Sequence, residues 1–295
     1  MSDTTRGRVI ISHGAECLVE DTQGTLMPCK TRRSTGRTLC GDWVQWAPSG
    51  AGEGVIERIE PRRTLLARPN FRNKLRPIAA NIDQMVVVSA PRPGIDLELI
   101  DRYLVLAENL DIQPLLWLNK MDLLAAEERE SLETSLQRYR ELGYGVLLGS
   151  VKSAQGLAEL EARLREGTSI LVGQSGVGKS SLIQALLPDL ELRIGALSHA
   201  SGLGKHTTTE TTLYHLRGGG DLIDSPGIRT LRLGHLSADE LERGFREFRP
   251  YLGQCRFNDC RHRSEPGCAI LGAVQQGEIA AERLERYYRL LDAED

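Results

Sequence analysis

A chain of 295 residues, 40% hydrophobic and 26% charged, has room for two or three domains and is too apolar to be disordered. No apolar run approaches the ~18–20 residues that span a bilayer, and the N-terminal Met1 to Arg6 has no apolar signal core, so a cytoplasmic protein without a membrane partner is expected. The net charge of −3 disfavours a uniformly basic nucleic-acid binder, and in a reducing compartment the six cysteines do not imply disulfides.

Residues 8–60 hold short β-rich segments broken by glycines: Arg8–Ser12, Glu16–Glu20, Asp42–Trp46 and Gly54–Ile59. Several short strands in about sixty residues predict a small barrel of the OB type, with an SH3-like barrel as the alternative. Arg62 to Pro77 reads as a basic linker. From Asn81 the pattern alternates: a buried strand at Met85–Ser89, a helix over Leu97–Leu110, a strand at Leu115–Leu118, a helix over Glu127–Leu142 and a strand at Gly145–Leu148. A helix over Leu157–Leu164 follows, then a strand at Ser169–Val172, a helix opening at Lys179, and strands at Leu213–Leu216 and Asp221–Ile223. Such alternation predicts a parallel sheet with helices on both faces and ligands at the carboxyl ends of its strands. Beyond Leu236 come a short helical stretch, a Cys/His cluster, and one charged amphipathic helix over 271–291. The expected division is 1–65 for an RNA-binding barrel, 66–235 for a nucleotide-binding domain, and 236–295 for a metal knuckle with a C-terminal helix.

Gly173-Gln174-Ser175-Gly176-Val177-Gly178-Lys179-Ser180-Ser181 follows a predicted strand and opens a helix, the context of a phosphate-binding loop. Its glycines let main-chain N–H groups wrap the phosphates, Lys179 supplies a point charge between the β- and γ-phosphates, and the Ser180 hydroxyl is a magnesium ligand. Asn119-Lys120-Met121-Asp122 lies about fifty residues upstream. The Asp122 carboxylate can accept from both N1–H and the 2-amino group of guanine, a donor pair adenine lacks. Lys120 can lay its stem on the purine, Asn119 can tie this loop to the phosphate loop, and Ser150-Val151-Lys152 can offer a backbone N–H to the guanine O6. Downstream, Asp224 ends an apolar strand and suits magnesium through a water, and the Gly227 N–H suits the γ-phosphate.

Between these motifs, Gly204-Lys205-His206-Thr207-Thr208-Thr209 has the composition of a switch segment, with Thr208 as the magnesium-closing threonine among three. Residue 228 is Ile, which cannot orient an attacking water, so slow intrinsic hydrolysis is expected. His206 either positions that water or is a solvated loop histidine. In an ordinary GTPase the phosphate loop comes first and the guanine tetrad late; here the order is rotated. All parts are present, which implies a working GTPase on a permuted chain.

Cys255-x4-Cys260-x-His262-x5-Cys268 places three thiolates and an imidazole within fourteen residues, a set suited to closed, structural zinc. Two arginine-rich stretches, 62–76 and 243–263, flank the nucleotide core and favour a polyanion partner. Arg256, Arg261 and Arg263 alternate with the metal ligands, a placement suited to RNA contact.

In these motifs and in their order the chain resembles the RsgA family (YjeQ, EngC), the bacterial small-subunit-dependent GTPases. Lys205 stands where family members usually carry Arg, which keeps the charge and loses a bidentate contact. The resemblance implies an OB-fold barrel, a circularly permuted P-loop GTPase domain, a C-terminal zinc-binding helical domain, and GTP hydrolysis stimulated by the 30S subunit. It further implies a late small-subunit maturation factor that binds 16S rRNA near the decoding region, with Mg²⁺–GTP and one structural Zn²⁺. A monomer with no DNA partner is expected. Two other readings are a nucleotide-gated RNA scaffold with little turnover and a large-subunit assembly GTPase.

Overall fold

The computed structural model describes residues 4–50, 52–69, 74–190, 211–225 and 236–293. Strands β1 (Thr5–His13), β2 (Glu16–Asp21), β3 (Leu26–Thr31), β4 (Trp43–Gly50) and β5 (Glu53–Ile59) close on themselves in the order β1-β2-β3-β5-β4-β1. Closure leaves no edge strand, and the strand order is that of an OB-fold. Alternation sends Val9, Cys17, Val19, Cys29, Val44, Trp46 and Ile56 into the lumen. Gly54 is dictated by packing here, since a Cβ would lie 2.7 Å from both Cys29 Sγ and the Trp46 ring.

Two readings of this half are corrected. Strand β3 is absent from the expected set; it contains Pro28, which stands opposite Leu18 of β2, while Cys29 to Thr31 pair with β5 on the other side. The basic segment expected to be a linker forms a hairpin, β6 (Leu65–Pro69) with β7 (Leu75–Ala80). Its inner end is pinned by Leu66 and Ala79, both fully buried, so packing overrides its polar composition.

The second half is a sheet in the order β10-β9-β8-β11-β13-β12, continuous with the barrel through a bridge between Ile11 of β1 and Thr212 of β12. Strands β8 (Gln84–Ser89), β9 (Gln113–Leu118), β10 (Gly145–Leu148), β11 (Thr168–Val172) and β13 (Asp221–Asp224) run parallel. Strand β12 (Thr212–His215) does not; it pairs antiparallel with β13 and β1, so the sheet is mixed rather than wholly parallel. The turn Leu216–Gly220 makes β12–β13 a hairpin, and a hairpin can only be antiparallel. Helices α1 (Leu97–Asn109), α2 (Ala126–Glu141), α3 (Leu157–Leu164) and α4 (Lys179–Leu186) cross between strands.

Past the sheet, Ser237 and Glu240 form a reciprocal capping box that opens α5 (Ala238–Gly244). Gly244 lets α5 approach α1 closely, where a Cβ would meet Val105 Cγ1 at 2.5 Å. The single helix expected over 271–291 is two, α6 (Ala269–Gln275) and α7 (Ala281–Asp292), broken at Gly277 with φ +76°. Among the described residues no helix is long and apolar enough to cross a membrane.

Candidate nucleotide site and metal centre

Strand β11 is buried along its length and delivers Gly173 to the sheet edge. A Cβ at Gly173 would sit 2.1 Å from the Val88 carbonyl oxygen, and at Gly178 2.3 Å from Asn119 Nδ2. Both have positive φ, so two independent constraints demand glycine at each end of the loop. The Lys179 ammonium donates to the carbonyl oxygens of Gly173 at 2.6 Å and Gln174 at 2.5 Å, at the mouth of the loop. Gln174 is anchored in turn on the Gly94 carbonyl at 2.6 Å, ahead of the Asp96 N-cap of α1. Ser180 and Ser181 are exposed at the start of α4, whose N-terminal end carries partial positive charge.

Asn119 joins three loops. It is 2% exposed, its Nδ2 donates to Val177 O at 2.9 Å, and its Oδ1 accepts from Val151 N at 3.1 Å. Lys120 takes a left-handed backbone, φ 61°, and its Nζ reaches the carbonyls of Gly176 at 2.5 Å and Arg92 at 3.1 Å. Its stem therefore runs from the tetrad to the phosphate loop. The exposed Asp122 is oriented by the buried Ser150, whose Oγ donates to Oδ1 at 2.5 Å. The Ser150 loop itself rests on Trp117, which leaves no room for a Cβ at Gly149, 2.1 Å from the ring. Lys152 is exposed beside it. Asp224 ends β13 at the same edge, and the next residue, Ser225, accepts from Thr211 Oγ1 at 2.9 Å. His206, Thr208, Gly227 and Ile228 lie outside the described residues.

In the C-terminal part, one ligand atom each from Cys255, Cys260, His262 and Cys268 lie within 4.8 Å of one another. His262 presents Nδ1 to the sulfurs of Cys268 at 3.3 Å and Cys255 at 3.6 Å. Its Nε2 faces Glu242 Oε1 at 3.2 Å, off the line of a good hydrogen bond. A carboxylate behind the imidazole favours a proton on Nε2, which leaves Nδ1 a lone pair for the sulfur side. Three thiols and one imidazole gathered this closely can hold a metal ion, and no fifth side chain competes for it among the described residues.

The sequence reading missed two supports of this cluster. Glu242 sits on α5, outside the Cys/His motif, and no local pattern flags it. Glu265 lies inside the motif, and its carboxylate accepts from the backbone N–H groups of Arg261 at 2.8 Å, Arg263 at 2.7 Å and Ser264 at 2.9 Å. Those N–H groups, Arg261 foremost, pull its pKa down to about 2.

A model of the RsgA GTPase family matches residues 59–234. The chain belongs to the RsgA GTPase family. It is 49% identical to small ribosomal subunit biogenesis GTPase RsgA 1 of Vibrio parahaemolyticus, over 98% of this chain and 83% of that one. Identity to the RsgA of Haemophilus influenzae is 46%, over 99% of this chain and 86% of the relative. Among solved structures it superposes on YjeQ from Thermotoga maritima with a TM-score of 0.82 at 33% identity, covering 99% of each chain. On YloQ, described as a circularly permuted GTPase, the TM-score is 0.80 at 30% identity, over 99% of this chain and 95% of that one. Like its family, the chain is a GTP hydrolase on a permuted frame.

The RsgA frame also sorts the two basic stretches. In the first, Arg62 is a structural residue: it donates from Nε and Nη2 to the fully buried Asp42 at 2.7 and 2.9 Å. Arg63 pairs with Asp83 at 2.7 Å. In the second, Arg246 and Arg249 both bind Glu108 of α1 at 2.6 Å, and Arg246 stacks on Tyr144. These four arginines hold elements together. Arg256 lies over the exposed Phe257 ring, and Arg263 pairs with Asp292.

Proposed function

We propose that the protein is a GTPase stimulated by the 30S ribosomal subunit and acts as a late small-subunit maturation factor in the cytoplasm. In this reading it is a monomer that binds 16S rRNA near the decoding region and does not bind DNA. The nucleotide part is carried by one observation, the buried Asn119 amide that ties the tetrad, the phosphate loop and the Ser150 loop into one unit. The ribosomal part is supported by relatives at 46–49% identity that bear the name small ribosomal subunit biogenesis GTPase.

Asp122, held by Ser150, reads the guanine edge; Lys120 covers the purine; a backbone N–H of the Ser150-Val151-Lys152 loop faces O6. Residues 173–181 cradle the phosphates, with Lys179 neutralising charge that builds on the transferred group. Ser180, Asp224 and Thr208 would hold Mg²⁺ directly or through water, and the ion would supply charge neutralisation to the phosphates. Gly227 senses the γ-phosphate. Ile228 leaves the attacking water unoriented, so turnover waits for the partner, with His206 as the residue that completes the site. Zinc is the ion that suits the Cys255, Cys260, His262, Cys268 set, in a closed structural role.

The test is steady-state hydrolysis by zinc-replete protein, alone and with 30S subunits, with 50S subunits and ATP as controls. Stimulation by 30S alone supports the reading; equal rates with all additions would favour a nucleotide-gated RNA scaffold. Asp122→Ala is expected to weaken GTP binding by about 10²–10⁴-fold, the loss of two hydrogen bonds to a charged group. Unchanged GTP-over-ATP preference in that variant would remove Asp122 from the base-reading role.

A further inference from the structure

Behind the phosphate loop lies a buried hydroxyl that the nucleotide site does not account for. Tyr103 of α1 is 1% exposed, and among the described residues no protein group meets its Oη in good hydrogen-bonding geometry. Burial pushes this hydroxyl up to about 12, so it keeps a proton to donate; the Gly173 N–H faces the oxygen, off the line of a good bond. A buried hydroxyl without a partner is costly, and a phenylalanine would fill the same space without that cost. Tyr103 and Gly173 both line a hollow of about 10 Å³, room for one water. Gln174, Ser89 at the end of β8 and Asp96, the N-cap of α1, also line it and bring the polar partners that a buried water needs.

The direction of a cation depends on this corner. The Lys179 ammonium donates to the carbonyls of Gly173 and Gln174, so its aim follows the pose of those two peptides. Two supports reach them from outside the loop. The Gln174 side chain is fixed on the Gly94 carbonyl at 2.6 Å, and Tyr103 stands against Gly173. The helix that carries Tyr103 is itself clamped from its far side. Asp101, two residues earlier and so on the opposite face, bonds Arg283 and Arg286 of α7 and accepts from Tyr139 of α2 at 2.7 Å. A side chain mounted on a clamped helix is a firm stop, which is what the aim of a catalytic group requires.

We propose that Tyr103 is a positioning residue for phosphoryl transfer: its hydroxyl and one buried water seat the Gly173–Gln174 turn and thereby aim the Lys179 ammonium at the phosphates. The water accepts from the Tyr103 hydroxyl and donates onward to the polar groups of the hollow. Tyr103 touches neither nucleotide nor Mg²⁺ and acts through Gly173. The inference rests on the reading of residues 173–181 as the phosphate cradle with Lys179 as its cation.

The test is single-turnover GTP hydrolysis by the full zinc-replete chain with Mg²⁺, paired with the Kd for GTP. In Tyr103→Phe the rate constant is expected to fall about 10- to 100-fold, the scale on which a misplaced catalytic group costs rate. The Kd should change by less than ~3-fold, because the main-chain cradle is kept and the loss is felt in the transition state. A merely structural role would lower the melting temperature and leave the rate constant alone, so a wild-type rate in Tyr103→Phe overturns the proposal. A second measurement needs no variant. Crystals of the wild type with Mg²⁺–GDP should show a water within hydrogen-bond reach of Tyr103 Oη, and a dry hollow overturns the proposal equally. Lys179→Ala is measured alongside. Hydrolysis that survives in it removes the cradle reading and this inference together, whereas hydrolysis lost in Lys179→Ala and intact in Tyr103→Phe removes only the part given to Tyr103.

Discussion

The barrel meets the central sheet through a few apolar side chains, Ile10, Ile11, Leu18 and Cys40, with a seam of charges beside them, whereas the C-terminal helices meet it through a dry ion network and packed rings. At the barrel seam Arg8 binds Asp221 and Thr168, each at 2.5 Å, with side chains 11% and 15% exposed for the ion pair. His215 sits between Asp221 Oδ1 at 2.6 Å and Glu20 Oε2 at 2.5 Å. At the other junction Arg283 of α7 is 2% exposed, bonded to the fully buried Asp101 of α1 and to Glu247 at 2.5 Å. Burial alone would lower the Arg283 pKa, but Asp101 and Glu247 outweigh it and keep the group charged. Arg283 lies over Phe245, which packs with Phe248 and Tyr287, ring centroids 5.0 to 5.7 Å apart. The difference teaches that the unit carrying the Cys/His cluster is fixed to α1 by buried charge, while the half-exposed part of the barrel seam at His215 is open to pH and salt.

Chelation is expected to have the largest effect. Metal held by four clustered ligands contributes on the order of 10 kcal/mol to the order of its loop. Stripping it should melt the C-terminal unit in a separate, earlier transition, visible by calorimetry, and leave the barrel transition in place. A single unchanged transition would break the contrast.

Arg283→Ala comes next, at about 3–5 kcal/mol, because it leaves Glu247 buried without its cation and Asp101 with Arg286 alone. Urea unfolding measures this. Replacing all three groups together with apolar residues should recover much of the loss, since the network offsets its own desolvation. Arg8→Ala at the barrel seam should cost less, about 1.5–3 kcal/mol, the scale of a hydrogen bond to a charged group.

The smallest effect is the pH response of the seam. Hydrogen bonds to Asp221 and then Glu20 raise the His215 pKa from 6.5 to about 9. A raised folded pKa means the contribution is fully present below about 6.5 and is lost as pH rises through about 9. His215 is 49% exposed, so screening keeps the contribution under ~1 kcal/mol. Thermal melts between pH 6 and 10 should show a decline in barrel stability that His215→Gln abolishes. A decline of equal size in the variant would assign it to other groups.

Much of the candidate nucleotide site was legible because its chemistry is local. Residues 173–181 form a turn whose function needs glycine, lysine and serine at set spacing, and Asn119 to Asp122 read the same way. Strand β3 was hidden by Pro28, and the β6–β7 hairpin by its charge, because local composition outweighs pairing when only the sequence is read. The break at Gly277 carried a local signal that the long charged pattern masked. Glu242 carried none, since it reaches His262 from a separate helix.

By itself the sequence determined the motifs, their rotated order and the Cys/His set that could hold a metal, because each is a short stretch whose chemistry depends on neighbours along the chain. Only the tertiary structure decided what each arginine does. Arg62 meets Asp42, and Arg246 and Arg249 meet Glu108, across separations that no local pattern encodes. A charge takes its meaning from the partner within a few ångströms, and for these side chains that partner is chosen by the fold.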